Sequence, residues 1–341
     1  MNWGGFAQTH VGIVDMSGNV PAGVDLDGVN QFTNSEIIFS PSVTLDNGMT
    51  FGFSVQMEAL NNGGGADGID ENYVTISSDT LGKVILGSEN SAGYKSMVAA
   101  PQVGSMPINS RSTSAFIAVT GSGGFRQAAL SSYTEVGGNN DIPRITYFTP
   151  SFNGLTVGVS YAAAATPGNN AANNGPINRN SPLNLVDIFD IGVNYSQSFN
   201  GVDVSFGGRY GTADSNVAAV SDPETWGVGA SVGVSGFTFG VGYAENDNGG
   251  AGGLGDQDGL SVGASYDLKG PWTVGIEGYF GSTTVAVNDA DYDAYKLAAS
   301  RSLGAGVSWD VYYVHQETTG GGAVNPKLEG DLLATAINLS F

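Results

Sequence analysis

The chain has 341 residues, 53 glycines, no cysteine and a formal net charge of −21, although only 13% of its residues are charged. The lack of cysteine excludes disulfide bonds and cysteine-ligated metal sites, and the acidic balance argues against nucleic-acid binding, which needs a basic surface. No run of eighteen apolar residues is present, so the sequence predicts no transmembrane helix. Neither a basic segment nor an apolar core follows Met1, and we expect an exported protein whose signal peptide is missing from this chain.

Apolar and small polar residues alternate with a period of two along most of the chain, which predicts sixteen β-strands. Each has about the 9–11 residues that a tilted strand needs to cross a bilayer. In chain order, the predicted strands cover residues 1–14, 34–45, 49–60, 71–78, 82–88, 143–149, 155–164, 185–197, 202–212, 224–234, 237–246, 256–267, 272–283, 291–301, 305–317 and 328–341.

The predicted connections alternate strictly between short and long. Seven are tight turns that carry the Gly, Asn and Asp of hairpins, such as Asp46-Asn47-Gly48, and eight are longer and rich in Gly, Asn, Asp and Ser. This alternation is typical of an outer-membrane barrel with short periplasmic turns and long external loops. The fold class predicted is therefore all-β, a sixteen-stranded antiparallel transmembrane barrel.

The two faces of the predicted strands differ in chemistry. One face carries Gly, Ser, Thr, Asn and a few charges, and the other carries Val, Leu, Ile and aromatic residues. A small soluble barrel needs large apolar residues inside, so we expect the small polar face to line a wet lumen and the apolar face to meet lipid. Aromatic residues near strand ends, including Tyr266, Trp272 and Trp309, fit the aromatic girdles of a membrane interface.

The connection between the fifth and sixth predicted strands, Glu89 to Ile142, is more than fifty residues long, and the last strand ends on Phe341. Together with the sixteen strands, these features resemble the general trimeric outer-membrane porins, most closely the acidic porins of α-proteobacteria. The resemblance implies one barrel domain over residues 1–341, a third loop (89–142) that folds into the barrel as its constriction, a homotrimer, and contact with outer-membrane lipid and lipopolysaccharide. It also implies that Phe341 is an assembly signal and that Met1 lies beside it where the barrel closes.

The charges of the predicted constriction depart from the usual family pattern, because the third loop carries three acidic and three basic residues and lacks the Pro-Glu-Phe-Gly-Gly motif. Alternation directs further charged residues of the wall inward. The predicted pore-lining residues are Lys95, Arg111, Arg126, Glu135, Asp141, Arg144, Arg209, Lys296, Glu36, Glu58, Asp203, Glu277 and Asp310.

The external loops carry much of the negative charge, including Asp256, Asp258, Asp289 and Asp291. These carboxylates have two interpretations: solvated acidic loops, or a Ca²⁺ site that bridges loops or lipopolysaccharide. Neither segment has the complete twelve-residue pattern of an EF-hand. We expect no required cofactor.

Two segments match the G-x-S-x-G nucleophile motif, Gly229 to Gly233 and Gly259 to Gly263. That motif needs a sharp turn into a helix, whereas strand alternation continues through both, and the chain has only two histidines. We therefore expect no enzyme but a water-filled channel for passive diffusion of small hydrophilic solutes and ions, with weak cation selectivity caused by its acidic mouth. The alternatives are a substrate-selective porin of the same fold, or a secreted or outer-membrane β-rich adhesin or hydrolase.

Overall fold

The computed structural model describes residues 3–61, 68–120, 125, 136, 140–165, 179–180, 185–322 and 325–341. The described strands are β1 (Trp3–Gly18), β2 (Gly28–Phe39), β3 (Ser42–Thr44), β4 (Thr50–Asn61), β5 (Ile69–Ser78), β6 (Gly82–Ser88), β7 (Pro143–Phe148), β8 (Leu155–Ala164), β9 (Leu185–Phe199), β10 (Val202–Ser215), β11 (Glu224–Val234), β12 (Phe237–Asp247), β13 (Gln257–Asp267), β14 (Trp272–Thr283), β15 (Ala290–Gly304), β16 (Val307–Thr319) and β17 (Lys327–Ser340). They form one antiparallel sheet that closes on itself, since β1 pairs with both β2 and β17.

The barrel has sixteen strand positions, as predicted, because β2 and β3 share one position and both pair with β4. The break between them falls at Ser40 and Pro41, and proline has no N–H to donate to a ladder. The Pro41 carbonyl still accepts a hydrogen bond from the Phe53 N–H at 3.0 Å. β2 begins at Gly28, six residues before its predicted start at 34, because pairing with β1 continues over residues whose polar side chains hide the alternation.

Closure of the barrel joins the two ends of the chain. Phe6 is opposite Ser340 in the β1–β17 ladder. The Gly5 N–H donates to the Phe341 carbonyl at 3.1 Å, and the Phe341 N–H donates to the Gly5 carbonyl at 3.2 Å. Met1, which we predicted to lie beside Phe341, is outside the described residues.

Short and long connections alternate around the barrel, so the long loops share one end and the short turns and chain termini share the other. Asn200 and Gly201 both have positive φ, 51° and 83°, as the twisted two-residue hairpin turn requires. The last short turn lies at Ala305 and Gly306 instead of the predicted 302–304, and Gly306 has a φ of 71° there.

The outer surface of the barrel carries a continuous set of exposed apolar side chains, among them Ile13, Ile145, Phe239, Leu297 and Leu333. In β17, the residues Leu333, Thr335, Ile337 and Leu339 face outward and alternate with buried or half-buried inner residues, as the sequence predicts. Two short 3₁₀ turns and one helix of five residues, α1 (Ala92–Ser96), complete the described structure. Among the described residues, every helix is too short or too polar to cross a membrane.

Candidate functional site

The described residues between β6 and β7, which are 89–120, 125, 136 and 140–142, fold back into the barrel and lie against the inner wall. Its main chain approaches wall glycines so closely that a side chain would not fit there. A Cβ atom on Gly229 would lie 1.7 Å from the Val98 oxygen, and one on Gly240 would lie 2.5 Å from the Ala99 oxygen. These inner glycines therefore give the loop a dry surface to lie on, where the sequence predicted contact with water.

Two charged side chains of the wall hold the middle of the loop through its main chain. The Glu277 carboxylate accepts a hydrogen bond from the Val103 N–H at 2.8 Å, and Lys296 Nζ donates to the Met106 carbonyl at 2.8 Å. Lys296 and Glu277 also form an ion pair, with 2.9 Å between Nζ and Oε1, and both side chains are buried. Each charge thus has both a counter-ion and a main-chain partner, which buried charges need.

Asp310 adds a third polar attachment next to this pair. Its Oδ2 accepts hydrogen bonds from the Ser105 N–H and the Ser105 hydroxyl, both at 2.9 Å. The Asn338 amide of β17 donates to the same oxygen at 2.7 Å. Because Asp310 is fully buried, this attachment fixes residues 103–106 of the loop on β14 to β17.

Apolar side chains fill the remaining space between the loop and the wall. Ile117 of the loop packs against Met16 and Gly330, and the Tyr292 hydroxyl donates to the Ile108 carbonyl at 2.6 Å. The larger wall residues that contribute to this cluster are Val14, Met16, Phe32, Tyr279, Tyr292, Tyr312, Val314, Leu328 and Leu332. The prediction that small polar residues cover the whole inner face is therefore wrong on this side, because the loop turns part of the lumen into a core.

The loop begins with α1, which lies over β8 to β10. The Ala92 N–H donates to Ser160 Oγ at 3.1 Å. Below the helix, Arg209 and Asp190 form a fully buried ion pair with 3.0 Å between Nη2 and Oδ1. Gly93 lies directly above that pair, since a Cβ there would be 2.2 Å from Asp190 Oδ1.

Three buried carboxylates meet where the two ends of the loop reach β5. Oxygen atoms of Glu71, Glu89 and Asp141 lie within 4.8 Å of one another. The Asn90 amide donates to Glu71 Oε1 at 2.7 Å, and Lys95 forms an ion pair with Glu89. This acidic cluster ties the start and the end of the loop to the barrel wall.

Burial and like charges change the protonation of the loop residues in this cluster. Burial, with the charges of Asp70 and Glu89 in addition, raises the pKa of Asp141 to about 6. Burial alone would lower the pKa of Lys95, but the carboxylate of Glu89 outweighs it and raises that pKa. Asp141 therefore titrates close to neutral pH, while Lys95 stays charged.

Further carboxylates surround the acidic cluster. Glu36 on β2 is opposite Glu58 on β4 in the strand register, and Glu36 is within electrostatic reach of Asp70 and Asp141. The neighbouring cations are Lys83, Lys95 and Arg144. We call the six carboxylates of Glu36, Glu58, Asp70, Glu71, Glu89 and Asp141 the acidic wall.

The structure separates the predicted pore-lining residues into groups. At the acidic wall are Glu36, Glu58, Lys95, Asp141 and Arg144; buried between the loop and the wall are Arg209, Lys296, Glu277 and Asp310. Arg111 is exposed on the loop. Asp203 is exposed near the short turns, where its carboxylate accepts a hydrogen bond from the Ser198 hydroxyl. Arg126 and Glu135 lie outside the described residues. Their roles in a pore stay predictions.

The acidic loops considered for Ca²⁺ form hydrogen bonds of their own. Asp256 accepts from the Asn248 N–H at 3.0 Å, and Asp289 accepts from the Val285 N–H at 3.1 Å. Asp291 accepts from the Ser282 hydroxyl at 2.8 Å. Within the described part of the chain, the group of three or more close carboxylates is the acidic cluster, which these loops do not join. A Ca²⁺ role for Asp256, Asp258, Asp289 and Asp291 stays a prediction.

Two important charged residues were missed by reasoning from the sequence. Glu71 is buried in the acidic cluster, but the register between β4 and β5 shifts between Val55 and Met57, so alternation does not show which way Glu71 points. Asp190 lies on a strand with apolar residues on both faces, because Val186 and Ile188 also point inward. If these two strands had one clearly polar face, alternation would have predicted that Glu71 and Asp190 point inward.

Comparisons with known proteins agree with this architecture. The Gram-negative porin family matches the chain over residues 1–321. Three solved structures share the fold, and each match covers 100% of this chain and 99% of the other chain. The anion-selective porin from Comamonas acidovorans has 16% sequence identity and a TM-score of 0.68. The trimer form of OmpT from Vibrio cholerae has 11% identity and a TM-score of 0.62, and a mutant of the Rh. blastica porin has 16% identity and a TM-score of 0.54. No curated protein sequence matches the chain.

Proposed function

Because the chain belongs to the Gram-negative porin family, and is therefore an outer-membrane channel protein and not an enzyme, we propose that small hydrophilic solutes and ions diffuse passively through its lumen and that cations pass more readily than anions. The third loop supports a sieving role because its described residues lie inside the barrel and residues 103–106 are fixed there by buried contacts. The free cross-section is then set by the space that the loop leaves open.

The acidic wall is the observation that carries the proposed cation preference. It places six acidic side chains near three cations where the loop meets β2, β4 and β5. Three of the six are partly exposed, Glu36, Glu58 and Asp70, and the other three are buried and act on the lumen only through their electric field. The other inward charges, such as Lys296 and Arg209, are buried in ion pairs with Glu277 and Asp190. An excess of one charge sign along a narrow path concentrates ions of the opposite sign.

Fold similarity alone does not decide ion preference. The Comamonas porin is anion-selective by its description and has the same architecture as this chain. The sign of selectivity therefore depends on which side chains surround the open path, and we propose that the partly exposed carboxyl groups of Glu36, Glu58 and Asp70 set it here.

The proposal is tested by the reversal potential of single channels in a KCl gradient. We expect a cation preference, and we expect Glu36→Gln with Glu58→Gln to reduce it, because two carboxylates are lost from the acidic wall. Asp15→Asn is the matched control, since Asp15 is exposed on the outer face of β1. An anion preference of the unchanged protein contradicts the proposal.

The structure gives little support to a substrate-selective channel. Such a channel needs an aromatic track or a dense basic cluster along the lumen. The large inward tyrosines Tyr279, Tyr292 and Tyr312 are buried against the loop, so they are not available to a passing solute.

We also propose a homotrimer as the assembled form. OmpT of Vibrio cholerae, whose barrel is similar, is described as a trimer. Lipopolysaccharide and Ca²⁺ remain proposed partners of the acidic external loops.

A further inference from the structure

The lipid-facing surface has an apolar groove of about 350 Å³ that crosses β12 to β15. Its centre is Gly278, which lies between the outward side chains of Ile276 and Phe280 on β14 and opposite Tyr295 on β15. A Cβ on Gly278 would be 3.5 Å from the nearest atoms, on Phe280 and Val262, which is ordinary contact distance. Packing thus does not require glycine here, and its missing side chain is what opens the groove.

A cationic and aromatic group lies toward the short turns, on β14 to β16 and in the turn before β14. Arg301 is the register partner of Trp272, and its guanidinium carbon is 5.6 Å from the centre of the Trp272 ring. The ring of Trp309 is also 5.6 Å from that of Trp272. Lys269 lies in the turn just before Trp272, and the Pro271 carbonyl of that turn accepts a hydrogen bond from Ser302, next to Arg301, at 3.0 Å.

Neither cation of this group has a carboxylate partner among the residues that the structure describes. Ion pairs between described residues include seven contacts, and none of them involves Arg301 or Lys269. Both residues are exposed. In a chain with a net charge of −21, two unpaired cations beside two tryptophans on the lipid-facing side point to an anionic ligand at the membrane interface.

The other end of the same strands has the opposite charge. Asp258 is level with Ser282 and Asp291 across β13 to β15, and Asp293 is opposite Glu317. These carboxylates lie on the outward face near the long loops. An anionic amphiphile in the groove is therefore repelled at the long-loop end and attracted at the short-turn end.

We propose that this groove binds one anionic phospholipid of the periplasmic leaflet, with its phosphate at Arg301 and Lys269 and an acyl chain along Gly278. Short turns of outer-membrane barrels lie on the periplasmic side, which puts Arg301 at the level of phospholipid headgroups. Apolar contact gives little preference among lipids, since the surrounding tails are equally apolar. The headgroup charge then selects the lipid, and the groove fixes the position of its chain. This site is separate from the lumen and does not depend on the proposed ion preference.

The test is native mass spectrometry of the detergent-purified porin with added phosphatidylglycerol or phosphatidylcholine. We expect the unchanged protein to retain phosphatidylglycerol about tenfold better, given the attraction of two interfacial cations. Arg301→Gln with Lys269→Gln removes this preference, and Gly278→Leu reduces retention of both lipids by filling the groove. Arg179→Gln is the matched control, because Arg179 is an exposed cation near the long loops, and it leaves retention unchanged.

A photoreactive phosphatidylglycerol with its diazirine at the chain end locates the bound lipid. We expect adducts on Phe280 or Tyr295, and none on Ile145, which is exposed on the far outer face at β7. Equal retention by the unchanged protein and the Arg301 and Lys269 variants overturns the proposal. Preferential retention of lipid A also overturns the proposal. Displacement of phosphatidylglycerol by inorganic phosphate overturns it as well if Gly278→Leu has no effect on retention.

A second copy of the chain is the other occupant that must be distinguished. The sequence has no cysteine, so Gly278→Cys introduces a single reactive thiol at the centre of the groove. Disulfide-linked subunits formed through that thiol overturn the lipid proposal, whereas labelling of the thiol by a lipid-soluble maleimide in the assembled protein supports it. Heat-resistant β-structure, measured by circular dichroism, shows that each variant is folded.

Discussion

Asp141 illustrates how a single residue joins structure and charge at the constriction. It lies at the end of the third loop, two residues before β7, and has a φ of 45°, a left-handed conformation that costs energy for a residue with a Cβ. Its side chain is buried beside Glu71 and Glu89. The surrounding structure therefore holds a strained backbone and a carboxylate in an unfavourable environment.

The pH dependence of ion selectivity should reveal this residue. Because the pKa of Asp141 is raised to about 6, its negative charge is lost as the pH falls through 6, where an ordinary aspartate stays ionised. We expect the cation preference to fall between roughly pH 7.5 and pH 5, and Asp141→Asn to flatten that change. Reversal potentials measured across this range check it, and an unchanged slope in Asp141→Asn contradicts it.

The same pKa shift has a defined effect on stability. The folded protein binds a proton at Asp141 more tightly than the unfolded chain does, so the ionised carboxylate destabilises the fold above pH 6. This cost decreases as the pH falls below the folded pKa and is gone only below the ordinary aspartate pKa of about 4. Asp141→Asn should therefore raise the unfolding temperature more at pH 8 than at pH 5.

At this scale, the sequence showed that several charged residues point inward but not what they contact. Alternation placed Arg209, Lys296, Glu277 and Asp310 on the inner face, where the structure has them. Their burial depends on the path of the third loop, and a period-two pattern contains no information about that path. A charge on the inner face of a strand can thus be a water-exposed selector or a buried attachment for the loop.

At the scale of elements, the third loop and the glycines beneath it behave as one unit. The loop is attached by main-chain hydrogen bonds to Glu277, Lys296 and Asp310 and by the close approach to wall glycines. The strands and turns were predictable because alternation and turn residues are local signals. The course of the loop was not, because its contacts join residues that are far apart in the sequence, such as Val103 and Glu277.

Substitution of a wall glycine should separate the loop from the wall. Gly229→Val places a Cβ where only 1.7 Å separates it from the Val98 oxygen, and overpacking of this kind costs about 1–3 kcal/mol. We expect a lower unfolding temperature and a changed single-channel conductance, because the loop must move into the lumen.

The matched control for Gly229→Val is Gly233→Val on the same strand and the same face. A Cβ on Gly233 meets its nearest atom, Asp203 Cβ, at 3.4 Å, and the third loop is not among its nearest neighbours. The conductance of this variant should equal that of the unchanged protein. If Gly229→Val also leaves conductance unchanged, the loop is not held by the close approach that the structure shows.

At the scale of the whole molecule, the two ends of the barrel carry different side chains on their outer surface. The long-loop end carries outward carboxylates, and the short-turn end carries Trp272, Trp309 and Arg301. The class of fold and the count of strand positions followed from the alternation in the sequence, and the pairing of the first and last strands was implied by the resemblance to porins. The number of subunits did not, because the lipid-facing and subunit-facing parts of a barrel surface are equally apolar.

Assembly as a homotrimer is expected to appear in single-channel recordings. One inserted particle should show three conductance steps of equal size, since each subunit encloses its own lumen. Native mass spectrometry should give three times the chain mass of 34.8 kDa. A single conductance step combined with a monomer mass contradicts the homotrimer.

The pairing of β1 with β17 has a consequence for how the protein reaches its final structure. Phe6 is opposite Ser340, so the contacts that complete the ladder join residues from nearly the two ends of the chain. Contacts of such large sequence separation are slow to form because the loop-closure entropy must be overcome first. Every earlier stage of assembly exposes two unpaired strand edges, which are prone to join other chains. Closure is therefore the step that removes the last unpaired edges of the sheet, and a chain that stops before β17 leaves the edge of β1 without its partner.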